Sequence, residues 1–238
     1  MKKGITKILS ACVFAFVVFL AAGTQSKAAV NMGVKQTGAG SSYVDLAWDA
    51  QLGAGHYHTQ FSQDGKNWID MDNSSSPSES VYNLTQGASY YARVVAYKGS
   101  HYTGTHVMIG VSETAIVSTK PTEVSGLTQT AAGVNSVSMS WNASAGAASY
   151  VIYGYINYNW TQIGTSATNS ATITGVAATT STRFSVAAVK NVTGGTVTGD
   201  QCSGVEMKAI PIKVSRIAMQ YYWDSLKEAK YIWTDVNK

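Results

Sequence analysis

Apolar and polar residues alternate with a period of two along much of the chain. Val44, Leu46 and Trp48 occupy every second position before a loop of small residues. The stretch 137–141 repeats this alternation with Val, Met and Trp. A period of two places successive side chains on opposite faces of a strand. Six or seven short strands in about 90 residues, with no helical period, predict an all-β sandwich.

The alternating pattern occurs more than once. Trp48 and Trp141 are 93 positions apart, as are Tyr57 and Tyr150. In each copy a small-residue loop separates the tryptophan from the tyrosine nine positions later. A fixed period of this size is typical of tandem structural units, so the chain is predicted to hold repeated domains of about 92 residues.

Prolines mark the predicted domain junctions. Pro121 and Pro211 each start a similar heptapeptide, PTEVSGL and PIKVSRI. Proline cannot donate to a sheet and fixes a turn, which suits the end of one sandwich and the start of the next. We therefore expect domain one at 30–119, domain two at 121–210 and the start of an incomplete third repeat at 211–238.

The final segment has two possible interpretations. Trp233 lies 92 positions after Trp141, which predicts that KYIWTDVNK (230–238) holds the second strand of a third copy. The stretch 220–233 could instead form an amphipathic helix packed on domain two. The matching spacing favours the third copy.

Each repeat resembles the fibronectin type III domain. The resemblance rests on the strand-B tryptophans, the strand-C tyrosines and a run L-x-x-G-x-x-Y-x-A-x-V-x-A. That run is Leu84, Gly87, Tyr90, Ala92, Val94 and Ala96. The resemblance implies that the Tyr90 hydroxyl bonds back to nearby backbone, in a tyrosine corner. Domain two departs from it, because Thr182 stands where the tyrosine is expected.

The N-terminus is typical of a secretory signal. Three lysines precede the apolar stretch 11–22, which is shorter than the roughly 20 residues of a membrane span. We therefore predict a signal peptide at 1–28 and a secreted or cell-surface protein. A retained membrane anchor is the alternative.

Charge and cysteine content narrow the choice of partner and compartment. Four of the 17 basic residues lie in the leader, so the predicted mature chain has 13 basic and 13 acidic residues. A neutral chain without a basic cluster argues against nucleic acid. With Cys12 in the leader, only Cys202 remains, so no intramolecular disulfide is possible.

One group of candidate binding residues lies on the predicted strands C and F of domain one. By alternation His56 and His58 face solvent, opposite the core-facing strand-C tyrosine. Tyr91, Arg93 and Tyr97 are expected beside them on strand F and form an aromatic and basic patch. Ordinary solvated strand residues explain the same pattern.

The histidines raise the question of a metal. Two histidines on one face are too few for zinc, which would need His101 or His106 to approach. Ordinary strand histidines are the preferred interpretation, and no metal ligand is assigned. The stretch 70–73 begins like a calcium loop but lacks its glycine and closing glutamate, so a polar loop is expected there.

The second group is an aromatic run in domain two. Tyr153, Tyr155, Tyr158 and Trp160 lie in the predicted C–C′ region, where exposed aromatic side chains could stack on sugars or anchor a protein. Trp68 occupies a similar place in domain one, which favours a structural role for the tryptophan. Tyr155, Tyr158 and Trp160 are retained as ligand-binding candidates.

No catalytic constellation or cofactor motif is found, and the chain is not expected to be an enzyme. Similarity to fibronectin type III modules implies a non-catalytic spacer, adhesion or ligand-binding unit, with an extracellular glycan or protein as partner. The alternative is the N-terminal accessory region of an extracellular enzyme, such as a glycoside hydrolase, with its catalytic domain beyond residue 238.

Overall fold

The computed structural model describes residues 29–99, 106–178 and 181–211, and the backbone of the short strands at 217–220 and 230–233. The predicted signal peptide lies outside the described residues. Every element in the described part of the chain is a strand. No described helix is long and apolar enough to cross a membrane.

Domain one is a sandwich of two sheets. Its strands are β1 (Ala29–Val30), β2 (Lys35–Ala39), β3 (Val44–Ala47), β4 (His56–Ser62), β5 (Ile69–Ser74), β6 (Ser78–Val81), β7 (Ser89–Lys98), β8 (Val107–Ser112) and β9 (Ala115–Ser118). One sheet has the order β2-β3-β6, and the other has the order β1-β8-β7-β4-β5 with β9 also on β7. All pairs are antiparallel except β1 with β8.

The alternating residues of domain one form its core. Val44, Leu46 and Trp48 are at most 5% exposed and pack against residues of the opposite sheet. The Trp48 ring meets the Tyr57 ring edge-on, with 5.4 Å between centroids. The predicted inward positions are therefore confirmed, and burial of these side chains is the main force holding the sheets together.

Domain two repeats this arrangement. Its strands are β10 (Thr128–Gly133), β11 (Ser136–Ser140), β12 (Ser149–Ile156), β13 (Asn159–Ser166), β14 (Ser170–Thr174), β15 (Thr182–Val192), β16 (Gly195–Thr198) and β17 (Val205–Met207). One sheet has the order β10-β11-β14, and the other has the order β13-β12-β15-β16 with β17 also on β15. Trp141 and Tyr150 meet edge-on at 5.3 Å, as their counterparts do in domain one. The all-β, fibronectin type III-like fold is therefore present in tandem.

The tyrosine corner of domain one is confirmed. The Tyr90 hydroxyl accepts a hydrogen bond from the Thr85 backbone N–H at 3.0 Å. Thr182, at the equivalent place in domain two, has no phenol with which to repeat this bond.

The C–C′ hairpin of domain one differs in part from expectation. Asp64 and Gly65 form its turn, as predicted, and Gly65 has a positive φ of 71°. The stretch 70–73, expected to be a polar loop, instead lies inside β5. Its residues pair with β4, so the backbone is held in the sheet although the side chains are polar.

Direct hydrogen bonds join the two domains. The Ile116 backbone N–H donates to the Thr193 hydroxyl at 2.7 Å, and the Thr193 N–H donates to the Ile116 carbonyl at 2.8 Å. The buried Lys190 ammonium donates to the Gly87 carbonyl. The β15–β16 hairpin of domain two therefore rests on the edge of domain one.

The last described elements are β18 (Ile217–Gln220) and β19 (Lys230–Trp233), which pair antiparallel. A helix running through residue 233 is wrong, because 230–233 is extended and hydrogen-bonded to another strand. The third copy of the repeat stays a prediction.

Candidate functional site

Strands β4 and β7 bring the domain-one candidates onto one sheet face. Their register places His56 opposite Tyr97, His58 opposite Val95, Gln60 opposite Arg93 and Ser62 opposite Tyr91. Residues two apart on a strand share a face, so the row from 56 to 62 lies beside the row from 91 to 97.

The prediction that His56 and His58 face solvent is wrong. His56 is 2% exposed, and the His58 side chain is 18% exposed. Tyr97 stacks on His56 with 5.1 Å between centroids and 10° between planes. The His56 Nδ1 also lies 2.9 Å from the Gly99 carbonyl oxygen. Aromatic neighbours therefore cover a face that alternation assigns to the outside.

The third histidine does approach this face. The His106 ring lies 5.4 Å from His56 and 6.4 Å from His58, measured between centroids. His101 lies outside the described residues. Within the described ranges, no three His, Cys, Asp or Glu side chains are placed to hold a metal ion. The three rings instead pack with Tyr97 as an aromatic cluster.

A polar network occupies the other end of the face. The Arg93 guanidinium lies 4.1 Å from the centroid of the Trp68 ring, and its Nε donates to Gln60 Oε1 at 2.8 Å. Gln60 in turn donates to the Asp70 carboxylate at 2.7 Å. Burial lowers the pKa of Arg93 and raises the pKa of Tyr97. Arg93, the charged candidate of this patch, thus already bonds to Gln60 and packs on Trp68.

Tyr91 is the candidate that stays open on this face. It is 39% exposed. Its ring lies beside the β4–β5 turn, 3.6 Å from where a Cβ on Gly65 would be. Tyr91 is thus partly exposed, with its ring close to the turn.

The domain-two candidates lie on a projecting hairpin. The last β12–β15 residue pair is Gly154 with Phe184, while β12 and β13 continue to pair to the turn. The turn residues Asn157 and Tyr158 both have positive φ, 49° and 63°. Two left-handed residues in succession are the signature of a type I′ turn, in which Asn-Gly is the favoured sequence. We call residues 155–160 the aromatic hairpin tip.

Three large side chains at the tip are exposed, and no residue of the tip is charged. Tyr158 is 90% exposed, Ile156 44% and Tyr155 38%. Asn157 and Asn159 supply amide groups at the same place. The sequence patterns did not select Ile156, because it is neither aromatic nor charged, and its exposure depends on where the pairing of β12 with β15 ends.

Trp160 differs from the tyrosines, because it packs against the sheet. Its ring meets Tyr155 edge-on at 5.3 Å. A Cβ at Gly204 would lie 2.7 Å from the Trp160 ring, so only glycine fits there without movement. The same added Cβ would be 3.4 Å from Arg183 Nε. Trp160 thus lies near Arg183 of β15, as Trp68 lies near Arg93 of β7 in domain one. Its contact with Tyr155 packs the base of the tip.

Tyr153 lies one step further down the hairpin. It pairs with Gln162 and is half-buried. The four aromatic residues that the sequence singled out therefore separate into two that are exposed at the tip and two that are partly covered.

Comparisons with known proteins identify fold relatives only. No family model and no curated protein matches the chain. The chain is similar to the solved FN1-FN3 domains of chicken CNTN1, at 14% identity and a TM-score of 0.43, covering 76% of this chain and 68% of that one. It is also similar to a segment of two fibronectin type III domains from chicken tenascin, at 17% identity and a TM-score of 0.37, covering 74% and 97%.

Proposed function

We propose that this chain is a secreted or cell-surface, non-catalytic modular protein that binds a neutral extracellular glycan through the aromatic hairpin tip. Domain one and the body of domain two act as a spacer that holds the tip away from the point of attachment. The charged and histidine-rich face of domain one does not contact this ligand, because its side chains are covered or engaged with one another.

One observation carries the proposal, the conformation and exposure of Tyr158. A bulky residue with φ of 63° is strained by about 1 kcal/mol relative to glycine. With 90% of its surface exposed, the side chain recovers little of this energy by packing. Backbone strain that is not offset by side-chain packing is typical of residues in binding sites.

The chemistry of the tip favours a neutral sugar polymer. Tyrosine rings present flat apolar faces to the C–H groups of a pyranose, and the phenol can bond to a hydroxyl. Asn157 and Asn159 add amide donors and acceptors. Because residues 155–160 carry no charge, the tip offers no ion pair to an acidic or basic ligand.

The spacer part of the proposal draws support from the ends of the chain. The leader pattern at 1–28 supports export. Ala218 pairs with Ile232 in β18–β19, just as the residues at the corresponding positions, Thr128 and Ser140, pair in domain two. This likeness supports a third repeat after domain two.

An array of immobilised neutral and acidic oligosaccharides tests the binding proposal. We expect the purified chain to bind neutral members, and we expect Tyr158→Ala and Tyr155→Ala to weaken that binding by about tenfold or more. Tyr82→Ala is the matched control, because Tyr82 is also well exposed, at 57%, but lies in domain one. The control should bind like the parent chain.

Three results would contradict the proposal. These are the absence of any glycan binding, binding only to acidic glycans, and binding that Tyr158→Ala leaves unchanged. If Tyr158→Ala instead abolishes binding to a purified protein, the tip is a protein-binding site and the glycan assignment is wrong.

A further inference from the structure

A cavity of about 340 Å³ lies at the joint between the two domains. Strand β2 of domain one lines it along its whole length, residues 192–198 line it from domain two, and Lys120 lines it from the linker. Small-molecule sites occur preferentially at such domain interfaces, and their volumes start at roughly 300 Å³. The position and size of the cavity therefore suit a small ligand that contacts both domains.

Two contacts between the domains bound this cavity. Thr193, which lines it, exchanges two hydrogen bonds with Ile116. Lys120, which also lines it, bonds to the Asp200 carboxylate at 2.7 Å. Because Thr193 precedes β16 and Asp200 follows it, the domains touch near both ends of this strand. A cavity bounded in this way suits a compact molecule better than an extended polymer.

Gly195 leaves open space in the wall of the cavity. Its φ is not in the left-handed region, so the backbone there does not require glycine. A Cβ added at Gly195 would meet no atom within 4 Å, so packing does not require glycine either. A glycine in a strand often marks a place where a ligand approaches the backbone closely. Gly195 thus supports a ligand site independently of the volume of the cavity.

Every charged residue that the structure places in the lining is basic. These residues are Lys35 and Lys120. Lys35 is exposed and forms no ion pair with any acidic residue that the structure describes. Neither of the nearby carboxylates, those of Asp45 and Asp200, lines the cavity. The cavity therefore favours an anionic ligand, because ammonium groups form strong charge-assisted hydrogen bonds with carboxylates.

Three exposed threonines add hydroxyl groups to the lining, Thr37 on β2 and Thr196 and Thr198 on β16. Because residues two apart share a face of a strand, Thr196 and Thr198 lie opposite the buried Val197. A threonine hydroxyl can both donate and accept a hydrogen bond. No described residue of the lining is aromatic, so the cavity offers charge and hydrogen bonds rather than a ring for stacking.

We propose that this cavity binds a small polyhydroxylated carboxylic acid, of the sugar-acid class. The carboxylate bonds to the ammonium groups of Lys35 and Lys120, and the hydroxyl groups of the ligand bond to the threonines on both walls. The ligand therefore connects the two domains, since it contacts β2 on one side and β16 on the other. The inference goes beyond the binding proposal, because no residue of the aromatic hairpin tip lines the cavity.

Titration of the purified chain with glucuronate, followed by the NMR chemical shifts of its backbone amides, tests the inference. We expect saturable shifts at Thr37 and Thr196, which lie on opposite walls. Glucose has the hydroxyl groups without the carboxylate, and acetate has the carboxylate alone. Each should bind at least about tenfold more weakly than glucuronate, because each lacks one set of hydrogen bonds.

Two variants test the charge and the space separately. Lys35→Met should weaken glucuronate binding by about tenfold or more, because a charge-assisted hydrogen bond is lost. Gly195→Val should abolish binding by filling the space, and the fold should be kept, because valine suits a strand and its Cβ meets no neighbouring atom. The matched control is Lys208→Met, which removes an exposed lysine outside the cavity and should bind like the parent chain. Tyr158→Ala should also bind glucuronate normally, which separates this site from the tip.

The inference would be overturned by the absence of saturable shifts with glucuronate, or by shifts confined to one domain. Glucose or acetate binding as tightly as glucuronate would overturn it too, as would glucuronate binding that Lys35→Met leaves unchanged. If an oligoglutamate peptide binds more tightly than glucuronate, the cavity takes an acidic peptide and the sugar-acid assignment is wrong.

Discussion

Asp64 organises the turn between β4 and β5 with its side chain. Its carboxylate accepts hydrogen bonds from the backbone N–H groups of Lys66 and Asn67, both at 2.8 Å, and from the Asn67 side chain at 2.7 Å. These donors favour the ionised form, so they lower the pKa of Asp64 well below its ordinary value of 3.8. The charge of this one residue therefore helps to hold the hairpin closed.

Replacing Asp64 with Asn should destabilise domain one in a pH-dependent way. A carboxyl group whose pKa falls on folding stabilises the folded state above its unfolded pKa, and that contribution is lost as pH falls below it. The difference in melting temperature between the parent chain and Asp64→Asn should therefore be full at neutral pH and shrink below pH 3.8.

Thermal unfolding at a series of pH values measures this difference. Glu113→Gln is the control, because Glu113 is an exposed carboxylate outside the turn. A difference for Asp64→Asn that stays constant down to acid pH would show that its charge does not hold the turn.

Strand packing is the main source of stability at the level of the elements. Trp141 on the loop after β11 is 3% exposed and joins both sheets of domain two through Tyr150 and its other core neighbours. Trp141→Ala should lower the free energy of unfolding of domain two by about 3–5 kcal/mol, since it leaves a large cavity. Chemical denaturation followed by a probe in domain two measures this loss. A change below about 1 kcal/mol would mean that the tryptophan is not a core residue.

The strands and the core were predictable, because they depend on local pattern. Alternation located Val44, Leu46 and Trp48, and the Asp64-Gly65 pair located a hairpin turn. The errors came from neighbours distant in sequence. Alternation correctly put His56 on the face of the sheet that points away from the core. That face is nevertheless covered there by Tyr97, which lies in β7, and by His106, which directly precedes β8.

The candidate site was predictable only in part, for the same reason. The sequence marks Tyr155 and Tyr158 as aromatic residues near a turn. Their exposure follows from the end of the β12–β15 pairing at Gly154 and Phe184, which leaves the hairpin tip paired only within itself. The packing of Trp160 on Gly204 joins residues 44 positions apart and has no local signal.

The two domains are joined by a hydrogen-bonded contact as well as by the chain. Thr193 bonds twice to Ile116, and Lys120 forms a 2.7 Å ion pair with Asp200. An exposed ion pair adds little stability. The two hydrogen bonds between Ile116 and Thr193 restrict the orientation of one domain relative to the other. We expect these two domains to move together.

Lys190 should make the stability of this joint depend on pH. Burial lowers the pKa of its ammonium below the ordinary 10.5, because charge is disfavoured where water is excluded. The unfolded chain then binds more protons than the folded chain between the lowered pKa and 10.5, so stability rises as pH rises through that window.

Lys190→Met should remove this rise, while Lys208→Met, at an exposed position of the same domain, should keep it. Urea denaturation between neutral pH and pH 10.5 measures both. An equal pH dependence in the parent chain and in Lys190→Met would show that the lysine is not desolvated at the joint.

The most direct test of the whole account is a single variant, Tyr158→Gly, measured for stability and for glycan binding together. The account predicts that glycine relieves the left-handed strain and raises the unfolding free energy of domain two by about 1 kcal/mol, while binding to neutral oligosaccharides falls by tenfold or more. Higher stability with lost binding would show that Tyr158 is kept for contact at the expense of the fold. Lower stability, or binding equal to that of the parent chain, would contradict the central claim.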